Sequence, residues 1–201
     1  MNYTKETKNT YDKYAKEFEQ KSKFYIVKYM EKDFRLFLKS LKWDNILDIW
    51  SWPWRDSVKF KENWLKPICI DISDSMVELC KQKWLEAYQM DLEKLIFENN
   101  SFDWIWAHTS IVHIPKSKIE NVLNKISEIL KKDWIFYIWM KEWTFEWFKK
   151  WFNSDNRRYF SYYTREEMEK LLSCNFDIIH FSRVETPSWK NYINFLYKNK
   201  L

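Results

Sequence analysis

The sequence predicts an α/β fold: a mostly parallel sheet with helices on both faces. Three observations predict it. Short apolar runs at Asn45–Ile49, Pro67–Ser73 and Glu86–Leu92 each carry an aspartate at or near the end, namely Asp48, Asp71 and Asp91. Segments with helical spacing alternate with these runs, the pattern of β-α-β units. The chain then finishes on two β-rich stretches, Phe176–Phe181 and Tyr192–Tyr197, which read as an antiparallel hairpin.

Taken in order, Tyr11, Tyr14, Ala15 and Phe18 follow i, i+3, i+4, i+7 spacing and predict a first amphipathic helix. Met30, Phe34, Phe37, Leu38 and Leu41 predict a second. Asn45–Ile49 is the first strand, followed by a tight loop and a helix from about Arg55. Pro67–Ser73 is the second strand, and Ser75–Lys83 its helix. Glu86–Leu92 is a third strand. A polar turn, Asn99–Asp103, leads into a fourth at Trp104–His108, after which Thr109–Ile114 crosses the carboxyl ends of the strands, where open α/β sheets bind ligands. Ser117-x-x-Glu120 reads as a capping box before a helix with an apolar stripe at Ile119, Val122, Leu123, Ile126, Ile129 and Leu130. Lys131–Trp134 reads as its glycine-type end, and Ile135–Met140 as the fifth strand. Thr164-x-x-Glu167 is a second capping box, before a helix through Met168, Leu171 and Leu172.

The 201 residues predict one domain, 1–201, large enough for a sizeable core. A net charge of +5, with acids mixed among the bases, reads as a solvated surface rather than a nucleic-acid footprint. The sequence holds neither an apolar run of the ~20 residues that span a bilayer nor a signal-peptide core near its start, so a cytoplasmic protein with no membrane partner is expected. Cys69, Cys80 and Cys174 are scattered without metal-ligand spacing, and no metal is expected. The oligomeric state is not legible.

One composition is anomalous. At about 7% usage the chain should hold roughly 14 glycines; it holds 0 Gly and 14 Trp. Turns and helix C-caps need positive φ, which other residues reach only at a cost. The tryptophans stand where glycine is expected: in the loop Trp50-Ser51-Trp52-Pro53-Trp54, and at Trp64, Trp84 and Trp134 beyond helical stretches. UGA is read as glycine in some bacterial lineages and as tryptophan under another translation table, so we read most of these tryptophans as glycine codons. Trp106, inside an apolar strand, reads as a true tryptophan. The alternative is a natural chain rich in tryptophan and free of glycine.

With that substitution ILDIWSWPWRD (Ile46–Asp56) becomes ILDIGSGPGRD, which resembles the first motif of the class I S-adenosylmethionine-dependent methyltransferases. ICIDISDSMVELCKQK resembles the family's second motif, the Asn99–Ala107 segment its approach to the fourth strand, and LKKDWIFYIWMKEW its fifth-strand region. The resemblance covers nearly the whole chain. It implies a Rossmann-like, seven-stranded, mostly parallel sheet with a C-terminal antiparallel hairpin, S-adenosyl-L-methionine as cofactor, and a small-molecule methyl acceptor. It places Asp48, Trp50, Ser51, Trp52, Trp54 and Arg55 in the first cofactor-binding motif. Asp71 lies 23 residues beyond Asp48, near the ~20-residue offset of a ribose-binding carboxylate; helix capping is its other reading. Ile72 and Met76 accompany it. Asp91 would receive the adenine amino group, with Met90 and Leu92 as apolar walls, and Thr109 closes the set. His113 either faces the methyl group as a base or packs beside the cofactor. His108 and His180 lie in strands and read as structural.

The N-terminal helices (1–42) would cap the pocket, with Tyr11 or Tyr14 near it or merely packed. The aromatic and basic stretch 143–163, including Phe152, matches the insertion that lies over the acceptor in the small-molecule branch. Arg157, Arg158, Tyr159, Tyr162 and Tyr163 are therefore assigned to the acceptor together with Tyr14; nucleic-acid stacking is the weaker reading of the same stretch. The sequence also admits two rival functions: a nicotinamide-dependent oxidoreductase, and a non-catalytic module with a decayed pocket, as a literal WSWPW loop implies.

Overall fold

The structure, a computed structural model, describes residues 2–22, 31–40, 44–151, 155–186 and 190–201. Met30, Leu41 and Phe152 lie outside these. Six helices are described: α1 (Tyr3–Ser22), α2 (Glu31–Ser40), α3 (Arg55–Glu62), α4 (Asp74–Lys81), α5 (Ile119–Ile129) and α6 (Arg165–Leu172). The strands are β1 (Asn45–Ile49), β2 (Lys66–Asp71), β3 (Glu86–Gln89), β4 (Phe102–His108), β5 (Leu130–Lys141), β6 (Phe145–Lys150), β7 (Arg157–Tyr162), β8 (Phe176–Thr186) and β9 (Lys190–Asn199).

Seven strands form one sheet in the order β3-β2-β1-β4-β5-β9-β8. The pairs from β3 to β5 are parallel, and β9 runs antiparallel to both β5 and β8. This is the Rossmann-like sheet with its antiparallel C-terminal hairpin. The strand order reverses between β1 and β4, so the loops after these two strands diverge and leave a crevice at their carboxyl ends.

Side chains alternate across the sheet with period two. Ile46, Trp104, Trp106, Tyr137 and Trp139 pack on one face beneath Phe34 and Phe37 of α2 and Phe60 of α3. Leu47, Ile105, Ala107, Phe136 and Ile138 pack on the other, against α1, α5 and α6. Trp106 is fully buried, stacks on Tyr137 at 3.7 Å and donates from Nε1 to Asp56 Oδ2 at 2.8 Å. A side chain so used belongs to the core.

Several predicted boundaries change. The third strand ends at Gln89, before Asp91, which instead accepts from Glu93 N–H and opens a single 3-10 turn, Leu92–Lys94. Ser117 and Glu120 form no capping box: Lys118 is the N-cap, and the Lys118 and Ile119 N–H groups donate to Pro115 O, so the turn already supplies their acceptor. The helix does not end at Trp134. It stops at Ile129, and β5 runs on from Leu130; the positive φ of that segment, 65°, belongs to Asp133. Residues 143–163 contain a separate antiparallel pair, β6 with β7, where the sequence offered no strand periodicity. The Thr164–Glu167 capping box forms as predicted, with both hydrogen bonds present.

Candidate functional site

The crevice begins at the loop after β1. Trp50 N–H and Ser51 N–H both donate to Ile70 O, at 2.7 and 3.0 Å, which folds the loop over the end of β2. The fold then needs left-handed backbone: φ is 65° at Trp50, 39° at Trp52 and 56° at Trp54. This region favours glycine because a Cβ crowds the following carbonyl. The same conformation recurs at Trp64 (65°) and Trp84 (58°). At both places it completes a Schellman end: Trp64 and Leu65 N–H donate to Lys61 O and Phe60 O, while Trp84 and Leu85 N–H donate to Lys81 O and Cys80 O. Five tryptophans thus hold a backbone geometry that suits glycine.

Beneath the loop lies a buried polar cluster. Asp48 accepts from Ser57 Oγ at 2.6 Å; burial first, and then the Asp56 charge, push its pKa well up. Burial would raise Asp56 too, but the Arg55 guanidinium and His108 hold it far below the usual carboxylate range. His108 Nδ1 lies 2.8 Å from Asp56 Oδ2 and also contacts Arg55; burial and Arg55 lower its pKa to about 4. His108 is held in this buried cluster, as its strand position suggested, and also borders the cavity described below.

At the end of β2, Asp71 Oδ1 accepts from Ser73 N–H at 2.8 Å, and Oδ2 is buried with no hydrogen-bond partner. The helix N-cap is Ser73, not Asp71. Burial raises the Asp71 pKa well above the usual carboxylate range. Such an acceptor is costly unless a donor arrives. Ser73 Oγ and Ser75 N–H in turn donate to Asp12 of α1, tying the first helix over this edge; nothing in the sequence marked Asp12. Ile72, Met90 and Asp91 line a cleft of about 660 Å³ on this side. Met76 and Leu92 are buried behind it.

On the other side of the loop a cavity of about 590 Å³ opens beneath β6–β7. Arg55, Thr109, His113, Arg158 and Tyr162 line it. The other predicted acceptor residues do not. Arg157 bonds Glu6, Tyr159 donates from its hydroxyl to Glu146, Tyr163 lies under Lys116, and Tyr14 accepts from Asn156. Neighbouring residues of a strand point to opposite faces, which sends Arg157 and Arg158 apart. His113 spends both ring nitrogens: Nδ1 donates to Tyr159 O at 2.6 Å, which leaves Nε2 to accept from Tyr11 O–H at 2.8 Å. Burial and the Arg158 charge lower its pKa to about 3.

The residues fit S-adenosylmethionine on the Asp71 side, where a buried acceptor awaits a donor. They do not fit it at the loop. The Trp50 indole is 4% exposed, stacks on His113 at 4.8 Å and meets Tyr11 at 5.8 Å; Trp52 packs on Phe18 at 5.6 Å. Trp50 Nε1 is buried without a partner. Indoles fill the space above the loop. Among the described residues no group of His, Cys, Asp and Glu is arranged to hold a metal ion, and no helix is long and apolar enough to cross a membrane.

This site, at the topological switch point of a Rossmann-like sheet, is of the kind that holds a nucleotide cofactor. Residues 53–133 match a family described as a methyltransferase domain. No curated protein matches the chain in sequence. Among solved structures, the DhpI–SAH complex superposes with a TM-score of 0.80 at 11% identity, covering 98% of this chain and 97% of that one. A SAM-dependent methyltransferase from Methanosarcina mazei gives 0.73 at 16% identity, over 83% and 98%. The Burkholderia thailandensis 1,6-didemethyltoxoflavin-N1-methyltransferase, with bound 1,6-didemethyltoxoflavin and S-adenosylhomocysteine, gives 0.71 at 18% identity, over 86% and 78%. These likenesses establish the fold. The domain match over residues 53–133 points to a methyltransferase.

Proposed function

We propose that the protein is an S-adenosylmethionine-dependent methyltransferase for a small-molecule acceptor, and that positions 50, 52 and 54 are glycine in the functional chain. The observation that carries this is the loop itself, whose three tryptophans all have positive φ (65°, 39° and 56°) between β1 and α3. A glycine at each would relieve the strain and vacate the space of the indoles. The backbone could then approach a ligand directly.

On this reading Asp71 Oδ2 takes a ribose hydroxyl, and Ile72, Met90, Asp91 and Leu92 surround the adenine. Bound cofactor supplies an electrophilic methyl group, so the chain's own part is to align the acceptor and exclude water. His113 holds the Tyr11 hydroxyl in place; serving as a base would require giving up that hydrogen bond. Titration with S-adenosylhomocysteine tests the proposal. The Trp50→Gly, Trp52→Gly, Trp54→Gly form binds and the chain as written binds weakly or not at all. UGA codons at the three positions, with UGG at Trp106, are the expected gene. Tight binding by the literal chain, or none by the glycine form in a folded state, overturns it.

A further inference from the structure

The cavity beneath β6–β7 has a one-sided charge. Among the described residues its walls carry six cations, Lys21, Arg55, Lys141, Lys149, Lys150 and Arg158, and no carboxylate. Arg55 is neutralised from below by Asp56, and Lys150 pairs with Asp155 at 3.7 Å. Arg158 is not matched in this way. Its Nη1 donates to the neutral Tyr11 hydroxyl at 3.0 Å, and its Nε is buried with no partner. The adjacent Arg157, on the opposite face of the strand, bonds Glu6 through two nitrogens. The difference is one of side: the outer guanidinium has a carboxylate, the inner one keeps a donor for something else.

The remaining wall is aromatic. Phe18, Tyr11 and Phe160 lie within 4.9–5.2 Å of the Arg158 guanidinium. Tyr162 and Tyr192 line it as well, together with Trp52, Trp143 and Trp151. Five of these rings, Tyr11, Phe18, Phe160, Tyr162 and Tyr192, are not tryptophans, so an aromatic wall remains with glycine at any tryptophan position. Lys149 lies 4.5 Å from the Tyr162 ring and brings a second charge to the same place.

We propose that this cavity binds an anionic aromatic small molecule, with its ring among Phe18, Phe160 and Tyr162 and its anionic group on Arg158. As the acceptor class, this rests on the methyltransferase reading; as a binding site, it does not. A cluster of cations in a partly buried cavity is stabilised by an anion that enters with it. A guanidinium whose Nε has no partner suits a planar carboxylate. At about 590 Å³, the cavity has the size of a small-molecule cleft, which favours this ligand over a nucleic-acid strand.

The probes are 2-naphthoate, its uncharged analogue 2-naphthamide, and cyclohexanecarboxylate, each titrated by calorimetry into the chain as written and into its triple-glycine form. 2-Naphthoate is expected to bind at least about tenfold more tightly than 2-naphthamide, the effect of one charge-assisted hydrogen bond, and about two- to tenfold more tightly than cyclohexanecarboxylate, the effect of one stacked ring. Arg158→Gln removes the preference over 2-naphthamide, and Arg158→Lys restores part of it. S-adenosylhomocysteine affinity in the glycine form is measured in parallel. Its failure with naphthoate binding intact refutes the methyltransferase reading alone. Equal affinity for naphthoate and naphthamide, an unchanged preference in Arg158→Gln, or tighter binding of a decathymidylate strand overturns the anionic-aromatic site.

Discussion

Replacing Trp64 and Trp84 by glycine should stabilise the protein, although each change deletes the largest side chain there is. Both indoles are nearly free in solvent, 93% and 87% exposed, so almost no burial is lost. Both backbones sit in the left-handed region, at φ 65° and 58°. That conformation costs a residue with a Cβ about 1–2 kcal/mol, and glycine's greater unfolded-state entropy returns about 0.5–1 kcal/mol. The net gain is then about 0.5–1 kcal/mol per site and about 1–2 kcal/mol for the pair. In a domain of this size that raises Tm by about 2–8 °C. The control is Trp106→Gly, which removes a fully buried ring, its 3.7 Å stack on Tyr137 and its hydrogen bond to Asp56. A loss of at least about 3–5 kcal/mol is expected. Thermal and urea unfolding of the single and double variants reads both signs. If Trp64→Gly and Trp84→Gly lower Tm, the glycine argument fails at its cleanest positions.

Three further outcomes are expected. Asp71→Ala in the triple-glycine form weakens S-adenosylhomocysteine binding by about 1.5–3 kcal/mol, the range for a hydrogen bond to a charged group; unchanged calorimetric affinity in a folded variant removes Asp71 from the site. His113 has a folded pKa of about 3 against an ordinary value of 6.5. Between those values the unfolded chain binds the extra proton, so His113 contributes stability that rises with pH through this window and is lost as pH falls through it. His113→Gln should therefore flatten the stability profile between pH 4 and 6 by up to about 1.4 kcal/mol per pH unit; parallel profiles for the two proteins would show that His113 is not held neutral. Thr164→Ala, which deletes the capping box of α6, costs about 1 kcal/mol in urea unfolding, whereas Ser117→Ala, at a box that does not form, costs less than about 0.5 kcal/mol.

The sequence by itself determined the sheet, the order of its elements and the position of the crevice. β1 appears at its predicted residues, Asn45–Ile49, because four successive buried residues and a polar flank are local properties. The Thr164–Glu167 cap was legible because both its hydrogen bonds close within four residues. The glycine deficit pointed to the loop before any φ was known, and it also pointed to Trp134, where the left-handed residue is the preceding Asp133. Tertiary structure decided the rest. β6 and β7 carry mixed polar and aromatic residues on both faces, so only their pairing defines them. The Arg55–Asp56–His108 cluster joins residues more than 50 positions apart. Which arginine enters the cavity depends on the facing of β7: Arg157 and Arg158 are equivalent as letters, and one strand step turns the first to Glu6 and the second inward. His113 reads in sequence as an available base; its neighbours from α1 and β7 take up both its nitrogens. Local periodicity is written along the chain, whereas hydrogen-bond partners and cavity walls come from segments that meet only after folding.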